Sequence, residues 1–369
     1  MSPSIVGIDI GTNTLRAVEV RNPDKARPTV LRYHEVPLPA GAVNGGEVLE
    51  PHTVAAALKV LWSGGGFRSR QVVLGMGSQR VLARDLSVPK MSLARIRQSL
   101  PFEVQDLLPV PVADALLDFY PISESTTEHG ATVNGLLIAA VKAAVVANVA
   151  AARMAGLTTI DVDLIPFAVS RLLVTRPGID GVVAVIDLGA TTTSVVITRQ
   201  GVPQFVRIIP TGGDDVTQAV ATGLQMDAAT ADLLKRRVGL LAAAGARARG
   251  PRSGIHVDEL SVNEPVPTDE AGAEIIAETM HDQLGSVVTT LNYYANTRPS
   301  DPVTAIVLSG GGARMPGLPE AVSKLTRLGV STGDPLSTVG LASAIDAEAL
   351  RLNGAAYTVA LGLALGRAA

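Results

Sequence analysis

The chain has 369 residues, 47% hydrophobic but only 3% aromatic, and its 31 Lys and Arg stand against 34 Asp and Glu for a net charge of −3. The length exceeds the roughly 250–300 residues at which single cores stop growing, so two or more domains are expected, with cores of Val, Leu, Ile and Ala as in layered α/β proteins. The near balance of charge argues against nucleic acid or an anionic membrane surface as a partner, and the lack of cysteine excludes disulfides, thiolate zinc sites and cysteine nucleophiles.

The opening MSPSIVGIDIG runs from a short polar lead into strand-like sequence without the basic, apolar and small-residue regions of a signal peptide, so a cytoplasmic location is expected. Ile5–Val20 holds two β-rich runs, IVGIDI and LRAVEV, joined by GTNT, and reads as a hairpin. From about Ala83 to Asp163 the texture changes. VLARDLSVP is strand-like, and Leu93, Ile96, Leu100, Val104, Leu107 and Leu108 then recur at helical spacing. Pro101 is expected to kink or restart that helix, and Pro109 and Pro111 to end it. ALLDFYPI and GLLIAAV read as strands, Ala143–Gly156 as a helix and TTIDVD as a strand, so this block is expected to be a small α+β insertion with its own sheet. Gly135–Leu157 is long enough to cross a bilayer, but Lys142, Asn148 and Arg153 interrupt it, which fits a soluble core.

Val182–Thr198, VVAVIDLGATTTSVVIT, repeats the first hairpin about 180 residues later, and two related lobes are the economical explanation. VPQFVRII reads as a strand leading to TGGDDVT and a helix over Val216–Leu224. Gly239–Glu270, rich in Gly, Ala, Pro and charge, is expected to hold a long mobile loop, followed by a helix over Glu274–Asn296. TAIVLSGGG then reads as a strand opening into a Gly-rich turn, and AAYTVALGLALG as an apolar helix.

The two hairpins together supply what a polyphosphate with its metal requires. Backbone N–H groups in tight turns cradle phosphate oxygens, and carboxylates at strand ends hold a hydrated ion. Gly11 and Gly189 allow close approach of the chain, and Thr12, Asn13, Thr14, Thr191 and Thr192 add polar donors. Asp9 and Asp187 stand at the mouths of the two turns, placed to face one metal ion. Either motif alone is more often ordinary turn chemistry; the matched pair carries the inference. Gly310, Gly311 and Gly312 after a buried strand allow a flat base to lie on the backbone, or form a flexible turn. Gly212 and Gly213 open a helix whose N-terminus faces phosphate or ribose, or is simply capped.

The order IDIGTNT, IDLGATT, TGGDDVT, SGGGARMPG resembles the phosphate-1, phosphate-2 and adenosine signatures of the actin/Hsp70/sugar-kinase superfamily. Within it, ARDLSVPKMSLARIRQSLPFEVQDLLPVPVADALLDFYPI is similar to the inserted domain of the type IV pilus assembly protein PilM family, relatives of the cell-division protein FtsA. The resemblance implies an actin-like (ribonuclease H-like) two-lobed α/β fold with an inserted α+β (SHS2-like) domain. It also implies that ATP or ADP with Mg²⁺ is bound in the cleft. Asp9, Gly11, Thr12 and Asn13 match the first phosphate loop, Gly189, Ala190, Thr191 and Thr192 the second, and Gly310, Gly311, Gly312 and Met315 the adenosine loop. Asp9 and Asp187 would hold Mg²⁺. Asp232 and Lys235 resemble the acidic-x-x-Lys helix motif that contacts ribose and adenine, or else form a solvated helix face.

The implied lobe one comprises residues 1–82, 164–180 and 351–369, the insertion 83–163, and lobe two 181–350 with a subdomain over 214–296. The implied partner is the cytoplasmic N-terminal peptide of a PilN-like inner-membrane protein, bound as an extended segment beside the insertion, with Val81–Val88 or Leu107–Val112 as walls or as ordinary core. The pilus motor ATPase and a second copy are further candidates, and the protein would sit at the inner face of the cytoplasmic membrane through its partners. One departure bears on catalysis: Ile165 and Pro166 stand where hydrolysing relatives carry a water-positioning Gln or Glu, and Asp163 is either the nearest acid or a strand end, so slow or negligible turnover is expected. Two rivals remain. IDIGTNTLR also resembles exopolyphosphatase-type phosphatases, although the second loop lacks their acid, and an FtsA-like filament protein is expected to end in a membrane helix where this chain stops at GRAA.

Overall fold

The computed structural model describes residues 4–127, 130–240 and 267–366. β1 (Ser4–Ile10) and β2 (Thr14–Arg21) form the expected hairpin, extended by β3 (Thr29–Pro37). A short ribbon, β4 (Val43–Asn44) and β5 (Glu47–Val48), precedes α1 (Pro51–Gly65), which has Pro in its first turn and ends at Gly66 in the left-handed region (φ 61°). β6 (Gln71–Met76) then lies parallel to β1. β7 (Val81–Pro89), α2 (Leu93–Glu103), β8 (Ala115–Thr127) and β9 (Gly130–Val141) follow, with the strands in a separate antiparallel sheet ordered β7-β9-β8. The helix runs through Pro101 because that residue stands in its last turn, where the missing N–H costs one ladder bond.

α3 (Lys142–Met154) and β10 (Thr158–Leu164), read above as part of the insertion, return to the first sheet: β10 lies parallel to β6 and α3 packs on α1. The sequence shows where the insertion's strands start but not which sheet a later strand joins, since β10 has the same local character either way. α4 (Ile165–Ser170) continues into a single π-helical stretch, Arg171–Thr175.

The second lobe repeats the first. β11 (Val182–Leu188), β12 (Thr193–Arg199) and β13 (Val202–Ile209) form an antiparallel meander like β1-β2-β3. After α5 (Gly213–Gly223), α6 (Ala228–Val238) and α7 (Pro267–Thr297), β14 (Ala305–Ser309) lies parallel to β11 as β6 does to β1. α7 starts seven residues earlier than its apolar spacing predicts, and the loop expected over Gly239–Glu270 lies mostly, at 241–266, outside the described residues. α8 (Leu318–Thr326), β15 (Gly329–Thr332), β16 (Gly340–Leu341), α9 (Ala347–Asn353) and α10 (Thr358–Ala364) complete the chain. The first sheet is ordered β10-β6-β1-β2-β3-β16 and the second β13-β12-β11-β14-β15.

All seven residues of β11 are buried, and its alternation distributes them between two cores: Val183 and Val185 join one with α4 and α10, while Val182, Ala184, Ile186 and Leu188 join another with α5, α6 and α7. The first of these cores also contains Val18 and Val73 of the first sheet. α4 and α10 therefore form a layer shared by both lobes, and the strand ends that carry the two turns converge beside it.

Candidate functional site

Both hairpins turn through four residues, closed by the same bond: Gly11 N donates to Thr14 O at 3.1 Å, and Gly189 N to Thr192 O at 2.9 Å. A Cβ at either glycine would lie 2.9 Å from that acceptor, so each turn requires Gly for close approach. The turns meet. Thr12 Oγ1 and Thr191 Oγ1 share a hydrogen bond of 2.9 Å across 179 residues of sequence, and Asn13 Nδ2 donates to Asp214 Oδ2 at 2.9 Å. The second turn also caps α5, since Gly213 N and Asp214 N donate to Gly189 O and Ala190 O, and Asp215 accepts from Gly212 N. Thr192 lies in the turn it closes, and Thr193 fixes the next loop by donating to Thr211 O at 2.8 Å.

Asp9 and Asp187 occupy equivalent ends of β1 and β11. Burial pushes the Asp9 carboxyl up to about 6; Arg16, 3.9 Å away, pulls against this, and the charge of Asp187 adds to it. Asp187 is also raised by burial, opposed by the Ser309 hydroxyl beside it, which does not reach hydrogen-bonding geometry. Its Oδ1 is buried with no hydrogen-bond partner. So are Ser194 Oγ and Ser309 Oγ, and the register sets Ser194, Asp187 and Ser309 side by side on β12, β11 and β14. Buried polar atoms in native proteins are nearly always paired, so three orphans in one row, at the strand ends that carry the turns, mark a place built for something polar.

The Gly-rich turn follows Ser309. Gly310 adopts φ 83°, and a Cβ there would meet Leu188 O at 2.4 Å, which excludes any larger residue; Gly311 opens onto free space, and Gly312 packs on Leu188. Met315 is buried in the second-lobe core beneath this turn. α6 reaches the same place, because Leu240 N donates to Pro316 O at 2.7 Å. Lys235 Nζ is committed to Gly213 O (2.9 Å), Thr217 Oγ1 (2.6 Å) and Asp232 (2.8 Å), so it tethers α6 to the start of α5. Burial would raise Asp232, but its bonds to Lys235 and Arg236 outweigh that and hold it low. The structure thus brings the two hairpin turns, Gly212, Gly213 and the Gly-rich turn together, with Lys235 beside them. Asp232 belongs to a helix-face ion network with Lys235 and Arg236.

Four contributors escaped the sequence reading. Arg16 and Ser194 follow from register: a four-residue turn sets Asp9 opposite Arg16 and Asp187 opposite Ser194. Asp214 lies inside TGGDDVT, directly after the two glycines read from it. Gln283, which donates to Gly212 O at 2.9 Å and is buried, arrives on α7 from far along the chain with no local signal.

Asp163 is accounted for. Its Oδ2 accepts from Arg171 Nη2 at 2.7 Å and its Oδ1 from Leu164 N, and Arg171 also donates to Gly362 O, all buried. Ile165 points at Gly75 and Gly77. Around the insertion, β7 is an edge strand, Arg84 donates to Leu107 O, and Phe102 is 79% exposed. Leu107 and Leu108 are partly buried against the insertion's core. Arg298 bridges the end of α7 to Asp85 on β7 at 2.7 Å. Among the described residues no helix is long and apolar enough to cross a membrane.

Comparison with known proteins agrees with this geometry. The chain is similar to the cell division proteins FtsA of Pseudomonas aeruginosa (26% identical over 193 residues, 52% of this chain and 45% of that protein) and of Neisseria meningitidis serogroup B (28% over 193 residues, 52% and 45%), so it matches less than half the length of those relatives. Among solved structures, a PilM-PilN type IV pilus biogenesis complex superposes with TM-score 0.79 at 27% identity, covering 98% of this chain and 97% of that one. MreB5 of Spiroplasma citri bound to AMPPNP (TM-score 0.55, 11% identity, 98% and 95% covered) and EutJ of Carboxydothermus hydrogenoformans (0.55, 15%, 99% and 90%) share the fold, which is the actin-like one expected from the motif order. The family model for cell division protein FtsA matches residues 184–362 and that for type IV pilus assembly protein PilM residues 7–243, more than half of the chain. With motif order, architecture and the whole-chain superposition in agreement, the chain belongs to the type IV pilus assembly protein PilM family.

Proposed function

We propose that this PilM-family chain is a nucleotide-binding scaffold of a type IV pilus assembly platform, taking ATP or ADP between the two turns and the cytoplasmic peptide of a PilN-like membrane protein beside the insertion. The observation that carries the nucleotide reading is the contact of the turns, Thr12 to Thr191, with Asp9 and Asp187 behind them. A related fold, MreB5, has been solved with AMPPNP, and the whole-chain neighbour with PilN.

Mg²⁺ fits the donor set: two carboxylates, one with a buried oxygen lacking a partner, flanked by two free hydroxyls. The ion takes one or two carboxylates and keeps its waters, so Asp9 and Asp187 would hold it, and when bound it neutralises phosphate charge. The chain's own residues do the rest. Phosphate oxygens replace the Thr12–Thr191 bond, the turn N–H groups of Thr12, Asn13, Ala190 and Thr191 are left for the anion, and the Gly-rich turn receives the base. Turnover is expected to be negligible, because Asp163 is bound on both oxygens and Ile165 is aliphatic, leaving no side chain there to orient an attacking water.

Isothermal titration with ATP tests this reading. Saturable binding that Mg²⁺ strengthens is expected, and none up to about 1 mM, roughly −4 kcal/mol, would overturn it. The binding should also release protons near pH 6, since Asp9, at about 6, must ionise fully to serve the cation. Titrations in buffers of different ionisation enthalpy read that release directly, and a buffer-independent heat at pH 6 counts against Asp9.

Separating the turns shifts lobe two against lobe one, and Arg298–Asp85 couples that shift to β7. A labelled N-terminal peptide of a PilN-like protein is therefore expected to bind with different affinity with and without Mg–ATP. Equal affinities would remove the coupling while leaving nucleotide binding intact.

A further inference from the structure

A second feature lies away from the cleft and does not depend on the nucleotide reading. The segment after β15 crosses from the second sheet to the first, where its two-residue strand β16 becomes the edge beside β3. Gly340 N donates to Pro28 O and Ala342 N to Val30 O. Alternation along a parallel strand then turns the N–H and C=O of the intervening Leu341 to the open side. That edge borders a cavity of about 500 Å³ whose walls include Leu336, Val339, Leu341 and Ala347. Arg27, from the β2–β3 turn, and Arg351, on α9, also line it, and neither has a hydrogen-bond or ion-pair partner among the described residues. The one carboxylate there, Asp334, accepts from Leu336 N, so two guanidinium groups face a single acid already engaged.

We propose that this cavity docks a short, extended, acidic segment of a protein partner. An unpaired sheet edge recruits a strand through its backbone groups, an aliphatic floor receives one side chain of that strand, and guanidinium groups prefer carboxylates because they bind them bidentately. An aliphatic residue flanked by acids satisfies all of them at once, whereas a basic segment would bring like charge onto Arg27 and Arg351. The chain's overall charge of −3 does not favour such a segment, so the attraction must come from these two side chains.

The probe is a fluorescein-labelled DEVLED peptide, with KKVLKK as its control, titrated by anisotropy against the full chain. DEVLED is expected to bind and KKVLKK not, with affinity falling as salt rises. Arg27→Ala and Arg351→Ala should each weaken binding about tenfold, and Arg27→Glu should abolish it. Both side chains are exposed, so all three variants are expected to melt with the wild type. Amide exchange supplies a local reading: the Leu341 N–H should slow when DEVLED is present. No binding up to about 1 mM, or binding untouched by either alanine variant, overturns the proposal. So does a concentration-dependent dimer that Arg27→Glu dissolves, because a second copy would then be the occupant. None of these outcomes bears on ATP affinity, which separates this site from the cleft.

Discussion

Asp187→Asn is expected to weaken Mg–nucleotide binding about 100-fold, the factor that roughly 2.7 kcal/mol represents, while raising the melting temperature of the protein without nucleotide. The two effects have one cause. Asp187 is 9% exposed and its Oδ1 has no partner, so the fold bears a desolvated carboxylate that a cation would relieve. Removing the charge withdraws the ligand and the penalty together, and a stability gain of about 1–2 kcal/mol, a few degrees in Tm, should follow. Calorimetry of both proteins checks the gain and titration the loss. Unchanged affinity would remove Asp187 from the site, and a lowered Tm would mean that its carboxylate is satisfied within the fold. Asp9 contributes in the same sense to the pH dependence. Its folded value of about 6 lies above the ordinary 3.8, so its contribution to stability is fully present below about pH 4 and is lost as pH rises through about 6.

Arg171→Leu is expected to destabilise the chain by about 3–5 kcal/mol, the cost of stranding a buried carboxylate. Asp163 is 4% exposed and Arg171 7%, their bond is 2.7 Å, and Arg171 also holds Gly362 O on α10. Urea unfolding measures the loss, and Asp163→Leu combined with Arg171→Leu should recover a large part of it, since the uncompensated charge is then gone. Asp163→Asn should leave ATP affinity per folded molecule unchanged. If instead it abolished measurable ATP turnover without loss of stability, Asp163 would be a water-orienting acid, and the chain a hydrolase.

Local chemistry explains what was legible. The hairpins announced themselves because apolar strands, an Asp at the strand end and a Gly-containing turn occupy adjacent positions, and their four-residue turns set the register that faces Asp9 with Arg16 and Asp187 with Ser194. Gly310 was recognisable because only glycine tolerates φ 83° so close to Leu188 O. Other features were not legible. TTIDVD has strand character in either sheet, and only its pairing with β6 places it in the first lobe. Gln283 and Arg298 act through contacts with residues 71 and 213 positions away, for which no spacing rule exists. The helix motif leaves Lys235 open as a ligand contact or a solvated helix face, and the tertiary structure adds that its ammonium is shared among three acceptors of the chain itself.

The amino-acid order alone determined the repeated unit, the residue types at both turns and the likeness to pilus assembly proteins, because each is written in contiguous residues whose backbone demands are local. Tertiary structure alone decided that Thr12 touches Thr191, that Asp163 is spent on Arg171, and that Asp187 is buried without a partner. Desolvation and pairing depend on what the whole chain brings to a point in space, and no stretch of sequence contains that sum.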